Sequence, residues 1–261
     1  MTRFIYYTLS CYILLLVGCN NWLDVKPTNW VEQEEMFSTE NGFKNALTGV
    51  YIQMKSPSLY GKNLTMDFTE NLAQHWKVNA SSIEGYTSMF DYKNASVESL
   101  IDGIYTSFYG TMVNINNLLS FVDNGVLSSD IYALVKGEAL GLRAFLHFDL
   151  LRLYGPIPGQ HTNNKILAYA QKVSRDNLPV HTWQEYITFL EKDLNDAEKL
   201  LYEVEHKGIK DDFFAYRQNR MNYWAVLALK ARFYLWIQNK EKAAEYAAKV
   251  ISAKKLLIRI M

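Results

Sequence analysis

The chain has 261 residues, of which 49% are hydrophobic and 14% aromatic, so it is long enough to bury a large core. Its 27 basic residues balance its 27 acidic residues. This balance creates no long-range positive field that would attract phosphate backbones, and the sequence has no basic stripe. Nucleic acid is therefore not an expected partner, and one or two globular domains are expected.

The N-terminus has the layout of a secretion signal. Arg3 supplies a short positive region, and residues 4–17 form an apolar run that is too short to span a bilayer comfortably. The run ends in Leu16-Val17-Gly18-Cys19, which looks like a bacterial lipobox. The pattern predicts a lipoprotein signal peptide at residues 1–18 and acylation of Cys19, whose lipid chains would hold the protein on a membrane. The alternative is an uncleaved signal anchor in which the cysteine occurs by chance.

The two cysteines leave the mature protein without a disulfide. Cys11 is removed with the predicted signal peptide, and Cys19 would be acylated. The mature domain, residues 19–261, is therefore expected to depend on packing for its stability. Its five histidines show no metal-ligand spacing, so the sequence predicts no metal site and no cofactor.

Apolar residues recur at three- and four-residue spacing through most of the chain, which predicts helices. Thr182-Trp183-Gln184-Glu185 has the spacing of a capping box, and Tyr154-Gly155-Pro156 predicts a helix end with glycine in the left-handed conformation. No sustained alternation with a period of two is present, so the chain is predicted to be all-α, with long irregular loops at residues 57–96 and 155–181. The six predicted helices cover approximately residues 39–55, 97–122, 129–154, 182–207, with Gly208 just beyond, 220–238 and 240–253.

The last two predicted helices look like one tetratricopeptide unit. The first opens with the pattern Trp-x-x-Leu-Ala at residues 224–228, and the second carries alanines within residues 243–247 that allow close packing. Residues 139–144 and 226–231 also align with each other. These features predict tetratricopeptide-like helical repeats; the alternative is that two helices rich in alanine and leucine resemble each other through composition alone.

Several stretches, taken in order, resemble the SusD/RagB family. They are the lipobox, residues 22–27 (Trp-Leu-Asp-Val-Lys-Pro), residues 45–51 (Asn-Ala-Leu-Thr-Gly-Val-Tyr), the helix from Gly137 to Gly155, and the tetratricopeptide-like helices. Together they span most of the chain. On their order and spacing the chain is identified as a member of this family.

The resemblance implies an outer-membrane lipoprotein exposed on the cell surface. Members of the family capture oligosaccharides or other nutrients, and they sit as a lid on a SusC-like TonB-dependent transporter barrel. Their tetratricopeptide helices commonly face the barrel. Members are roughly twice as long as this chain, and their C-terminal half supplies much of the ligand site. Residues 19–261 are therefore expected to be the SusD-like N-terminal helical domain, as a truncated or partial copy.

Residues 57–96 are the candidate ligand-binding segment, because a stretch this long is rarely a passive connection in a compact domain. Sugar rings expose apolar faces that stack on aromatic side chains, whereas their hydroxyl groups need polar partners. Asp67, Trp76, Asn79 and Tyr86 supply that mixture and are the predicted ligand-binding residues. The alternative is that Trp76 and Tyr86 pin the segment to the core.

The charged residues of the helix predicted at 129–154 are assigned a structural role. Arg143 and Arg152 lie there with Glu138 and Asp149, and these charged groups could bridge helices or face a partner. The alternative is that they form ordinary solvated ion pairs that contribute little to stability. His147, in the same helix, is interpreted as a packed side chain and not as a ligand. The chain shows no serine nucleophile motif and no phosphate-binding loop, so no catalytic residue is predicted.

The sequence is compatible with three functions. The preferred one is a non-enzymatic, nutrient-binding lipoprotein. The second is an interaction scaffold or inactive truncated copy, which would bind the transporter but no glycan. The third, and the least favoured, is a helical glycan-cleaving enzyme.

The lipobox generates a first prediction. Cys19→Ala removes the thiol that would be acylated, so the protein is expected to move from the membrane fraction to a soluble or uncleaved form. Fractionation together with metabolic labelling by a fatty-acid analogue measures this. Acyl labelling at the parent level in the variant would show that lipidation is at another site.

Overall fold

The computed structural model describes residues 33–160, 163–207, 213 and 217–260, with side chains described as far as residue 253. The chain divides into two compact units, residues 1–36 and residues 37–261. The described part of the first unit contains helix α1, Gln33–Met36. The predicted signal peptide, Cys19 and the expected helix end at Gly208 lie outside the described residues.

The described part of the second unit is mostly helical and contains one short hairpin, which confirms the all-α prediction. Each predicted helix is present, although individual ends differ by a few residues from those expected. Among the described helices, none is both long and apolar enough to cross a bilayer. The elements are α2 (Glu40–Met54), α3 (Phe68–Leu72), α4 (Ile83–Ser88), α5 (Ala95–Phe121), α6 (Ser129–Tyr154), β1 (Lys165–Ala168), β2 (Val180–Thr182), α7 (Trp183–Lys207), α8 (Tyr223–Trp236) and α9 (Lys240–Ile260).

Helices α6 and α7 form the most extensive helix pair in the unit. Arg143 on α6 contacts Asp193 on α7, whereas His147, one turn further along α6, contacts Tyr186, which lies earlier on α7. The residue number falls on one helix as it rises on the other, so the pair is antiparallel. Gly137 allows the two helices to approach closely, because a Cβ there would lie 2.7 Å from the Cγ atom of Leu201.

Helices α8 and α9 form a second antiparallel pair. The Lys242 ammonium lies 4.7 Å from the ring centre of Tyr234, and the Lys230 ammonium lies 4.3 Å from the ring centre of Tyr246. Helices α2 and α5 also pack together. Helix α5 contacts α6 of the following pair, and α7 contacts α8 of the pair after that. Stacked helix pairs of this kind are the arrangement of tetratricopeptide-like repeats, as predicted.

The sequence correctly predicted the start of α7 but not the backbone conformation at the end of α6. Thr182 and Glu185 form the predicted capping box, because the Thr182 N–H donates to the Glu185 carboxylate at 2.8 Å and the Glu185 N–H donates to the Thr182 hydroxyl at 3.4 Å. Gly155 is extended, with φ −88° and ψ 172°, and not left-handed as predicted. Glycine is needed there because a Cβ would lie 2.5 Å from the carbonyl oxygen of Leu151.

A short antiparallel hairpin of β1 and β2 lies within and just beyond the segment predicted to be a loop. Its strands have four and three residues, which is too short to show the alternation that identifies a strand. Side chains of α5 hold it in place. The Tyr109 hydroxyl donates to the carbonyl of Ala168 at 2.8 Å, and the Asn116 amide donates to the carbonyl of Ala170 at 2.9 Å.

A buried ion pair joins three elements at the centre of the unit. Arg143 donates from Nε and Nη2 to the two carboxylate oxygens of Asp193, both at 2.7 Å, and from Nη1 to Asn116 on α5 at 2.8 Å. The Tyr169 hydroxyl donates to Asp193 at 2.7 Å. Burial alone would lower the pKa of Arg143, but the Asp193 carboxylate raises it above its ordinary value. The predicted structural role of Arg143 is confirmed; we call these four residues the Arg143 cluster.

His147 packs beside this cluster as a neutral side chain. Its Nε2 accepts a hydrogen bond from the Ala170 N–H at 3.1 Å, so the proton lies on Nδ1, which is 2.8 Å from the Tyr186 hydroxyl. The imidazole is fully buried and stacks on the Tyr169 ring with centroids 3.8 Å apart. Burial, and then the positive charge of Arg143, lower the pKa of His147 well below its ordinary value.

The Arg143 cluster generates a prediction about stability. Asp193→Asn leaves the Arg143 guanidinium buried without a counter-charge, so the free energy of unfolding is expected to fall by about 3–5 kcal/mol. Urea unfolding measures it. The matched control is Asp196→Asn on the same helix, because Asp196 pairs with Lys192 at the exposed surface and is expected to contribute less than about 1 kcal/mol. Equal losses in the two variants would contradict the central role of Asp193.

His147 generates a prediction about pH. Because its pKa is lowered on folding, the unfolded chain binds a proton first as the pH falls below about 6.5, and stability then decreases by about 1.4 kcal/mol per pH unit until the folded protein is also protonated. His147→Gln removes this titration. The expected result is a flatter dependence of the unfolding free energy on pH between about 6.5 and 5.5. His206→Gln, at an exposed histidine, serves as the control, and an unchanged slope in His147→Gln would refute the assignment.

Candidate ligand-binding site

The segment between α2 and α5 is a folded part of the unit and not a simple loop. Leu59 and Phe68 are buried and attach it to the core. The Gln74 amide donates to the carbonyl of Ser88 at 2.8 Å, which ties the end of α3 to the end of α4. This bond brings the residues that follow the two short helices close together.

Both short helices end in a left-handed turn that is formed without glycine. Gln74 has φ 56° and Phe90 has φ 57°. In each turn the next N–H reaches back to the helix, from His75 to the Glu70 carbonyl at 3.1 Å and from Asp91 to the Tyr86 carbonyl at 3.0 Å. A residue with a side chain in this backbone region destabilises the fold by on the order of 1 kcal/mol. The two turns therefore hold Gln74 and Phe90 in a strained conformation.

The turns and their flanks expose several large apolar side chains. The exposed fractions are 58% for Trp76, 49% for Phe90 and 51% for Tyr92, and the Phe90 and Tyr92 ring centres are 6.4 Å apart. Met66 and Met89 are exposed in the same segment. Exposed apolar side chains that are this frequent within one segment are typical of binding surfaces. We call Trp76, Phe90 and Tyr92 the aromatic surface.

Two of the four predicted ligand residues are engaged in local structure. The Asp67 carboxylate pairs with the Lys62 ammonium at 2.7 Å and accepts a hydrogen bond from the Asn71 amide, also at 2.7 Å. The Asn79 side chain is at the surface and accepts a hydrogen bond from the Ser81 N–H at 3.0 Å. Both side chains stabilise turns; Asn79 is exposed, whereas the Asp67 side chain is only 16% exposed.

The other two predicted residues differ in exposure. Trp76 presents its indole to solvent, whereas Tyr86 is half-buried in α4. Among the described residues, no ring contact or hydrogen bond joins any two of the four predicted positions. Phe90 and Tyr92 also lie in the predicted segment. The sequence does not indicate that they are exposed, because their exposure depends on the turn at Phe90 and on the packing of α4.

A separate groove of about 890 Å³ lies between α2, α6 and the start of α8. At its edge the Tyr51 hydroxyl donates to Glu138 at 2.7 Å, and Arg220 donates to the same carboxylate oxygen at 3.0 Å. Burial raises the pKa of Glu138, and the positive charge of Arg220 partly opposes that effect. The Arg220 guanidinium also covers the Phe213 ring at 4.1 Å. The sequence did not indicate this network, because its members are far apart along the chain.

The described residues contain no group of three or more histidine, cysteine, aspartate or glutamate side chains placed to hold a metal ion.

The exposed aromatic rings and the local hydrogen-bonding groups of the 57–94 segment are suited to binding a neutral, hydroxyl-rich ligand by stacking and hydrogen bonding.

Curated relatives of the chain are SusD-like proteins. It is 20% identical over 257 residues to the SusD-like protein P25 of Formosa agariphila, an alignment that covers 95% of this chain and 45% of that protein. It is 24% identical over 159 residues to the SusD-like protein P2 of the same organism, covering 58% of this chain and 30% of that protein. The chain therefore spans less than half the length of these relatives.

Solved structures share the fold. A SusD-like carbohydrate binding protein from Bacteroides vulgatus superposes with a TM-score of 0.65 at 16% identity, covering 82% of this chain and 45% of that one. A laminarin binding SusD-like protein superposes with a TM-score of 0.61 at 20% identity, covering 81% and 43%. A SusD-like family model, described as starch-binding associating with outer membrane, matches residues 21–235. With most of its length matched, the chain belongs to the SusD-like family.

Proposed function

We propose that the chain is the N-terminal helical part of a SusD-like lipoprotein that binds oligosaccharides at the outer membrane and does not cleave them. The aromatic surface is the observation that carries the proposal. Its rings are open to solvent and are positioned by two strained turns that the hydrogen bond between Gln74 and Ser88 ties together. A pyranose ring can stack on such rings through its apolar faces.

The polar groups of the same segment complement the rings. Asn79 is exposed and the Asp67 side chain is partly exposed, and an amide or carboxylate oxygen that already accepts one hydrogen bond can accept another from a sugar hydroxyl group. Tyr86 is half-buried and supports the turn that carries Phe90, because its carbonyl accepts the bond from Asp91. Trp76 is the proposed stacking platform, with Asp67, Asn79 and Tyr86 as flanking ligand residues.

We place the protein on the outer membrane, lipid-anchored through Cys19 after removal of residues 1–18. The lipobox pattern supports the anchor, and the family description supports the membrane. The proposed partner is a SusC-like TonB-dependent transporter, to which the stacked helix pairs would dock while the aromatic surface receives the glycan. Surface exposure of the domain follows from this role.

An interaction scaffold is the second candidate, and the apolar groove beside Arg220 favours it. A groove of about 890 Å³ flanked by Tyr51, Phe213 and Arg220 has the aromatic and arginine composition of protein-binding surfaces. In this case the helical unit would bind a protein partner and would retain no glycan.

Trp76→Ala tests the proposed platform. Loss of stacking is expected to weaken binding of laminarin or starch by about 3- to 10-fold, from the free energy of an aromatic contact. Because Trp76 is exposed, the free energy of unfolding should change by less than about 0.5 kcal/mol. Affinity electrophoresis in gels that contain the glycan and urea unfolding measure the two effects.

Tyr202→Ala is the matched control, since Tyr202 is an exposed aromatic residue on α7, away from the aromatic surface. It should leave glycan retention unchanged. Equal retention of the parent and Trp76→Ala would refute the platform. A parent that co-purifies with the transporter but retains no glycan would favour the scaffold, and release of shortened glycans would indicate an enzyme.

A further inference from the structure

A further concave site lies near the C-terminal ends of α6 and α8. Two adjoining cavities, of about 430 and 340 Å³, share Arg152 and Trp236 as lining residues. Volumes of this size are typical of small-molecule sites. The larger cavity is also lined by Phe148, Pro158 and Arg232.

The larger cavity carries an excess of positive charge. Among the described residues that line it, the charged ones are Arg152 and Arg232. Both guanidinium groups lie beside a single carboxylate, because Arg152 is 2.8 Å and Arg232 is 3.7 Å from the same oxygen of Asp149. The other Asp149 oxygen accepts a hydrogen bond from the Tyr60 hydroxyl at 2.9 Å. One carboxylate therefore faces two cations.

Both cations remain accessible and are oriented by aromatic rings. The side chains are 41% exposed for Arg152 and 50% exposed for Arg232. Their guanidinium carbons lie 5.6 and 5.8 Å from the centre of the Phe148 ring, and Arg152 also lies 5.9 Å from the centre of a Trp236 ring. Guanidinium groups held over rings keep N–H donors free for an anion, for which their fork geometry is well suited.

The smaller cavity offers the opposite chemistry. Thr69, Glu70 and Asp149 line it together with Trp236, so it presents a hydroxyl group and carboxylate oxygens beside an indole ring. Carboxylate oxygens accept hydrogen bonds and would therefore select a ligand that donates them. A ligand lying along Trp236 would meet cations on one side and hydrogen-bond acceptors on the other.

We propose that these two cavities bind an anionic sugar, a pyranose that carries a carboxylate or a sulfate. The oxyanion contacts Arg152 and Arg232, the ring packs on Trp236, and hydroxyl groups donate to Glu70 and Asp149. This inference rests on the proposed function, because it takes the ligand to be a saccharide. The binding site it describes contains none of the residues of the aromatic surface. It adds charged sugar units to the neutral units that the aromatic surface would bind.

The test is titration of the full chain, ¹⁵N-labelled, with glucuronate, glucose 6-sulfate, glucose and sodium sulfate at constant ionic strength. The Trp236 indole and Arg232 Nε–H signals report on the site. The chemical shifts of these signals are expected to change saturably with glucuronate or glucose 6-sulfate. The affinity should be about 10-fold higher than for glucose, which corresponds to the free energy of one hydrogen bond to a charged group. The two anionic sugars distinguish a carboxylate ligand from a sulfate ligand.

Arg232→Gln is the variant of choice, because Arg232 is half-exposed and lies beyond hydrogen-bond distance of Asp149, so its loss should leave the fold intact. It should lower affinity for the anionic sugar by about 10-fold. Arg175→Gln, at an exposed arginine outside both cavities, should have no effect. Glucose binding should be the same in all three proteins.

Three results would overturn the inference: equal affinity for glucose and the anionic sugars, an equally strong response to sodium sulfate, or an unchanged affinity in Arg232→Gln. The first of these, with laminarin still retained, would leave the proposed glycan-binding function standing. Failure of that function has a different signature, because then neither laminarin nor any of the sugar probes would bind.

Discussion

The buried ion pair between Arg143 and Asp193 is the constraint on which the arrangement of the helices depends. A guanidinium removed from water must be neutralised and fully hydrogen-bonded, or the fold loses several kcal/mol. Its partners come from α7, from Asn116 on α5 and, through Asp193, from Tyr169 beyond β1. Because the fork of the guanidinium has a fixed geometry, these partners set the register of α5, α6 and α7 together.

Once that register is fixed, the rest of the packing follows. Gly137 faces Leu201 and Gly141 faces Met221, where a Cβ would lie 2.7 and 2.6 Å from side-chain atoms. A helix displaced along its neighbour would bring bulky residues to these positions and would strand the Arg143 charge. Neutral His147 fills the space beside the cluster.

The two proposed ligand surfaces use the stack of helix pairs in different ways. The aromatic surface lies on strained turns after α3 and α4, where Phe90 is held in a left-handed conformation and its ring is exposed. The cationic cavity is built from the ends of α6 and α8, where Arg152 and Arg232 flank Phe148. Rings without charge suit neutral sugar units, whereas paired guanidinium groups suit charged ones. Together they describe a protein that could bind a glycan of mixed composition.

The sequence by itself determined the long helices, the capping box at Thr182 and the all-α class, because periodicity and caps are properties of neighbouring residues. It also located the segment that carries the aromatic surface. Only the tertiary structure decided that Arg143 pairs with Asp193, 50 residues away, that Glu138 pairs with Arg220, 82 residues away, and that Arg152 shares a cavity with Trp236. The extended conformation of Gly155 and the short hairpin were likewise settled by packing. The physical reason is that helix geometry fixes contacts three or four residues apart, whereas contacts between helices depend on how whole elements pack.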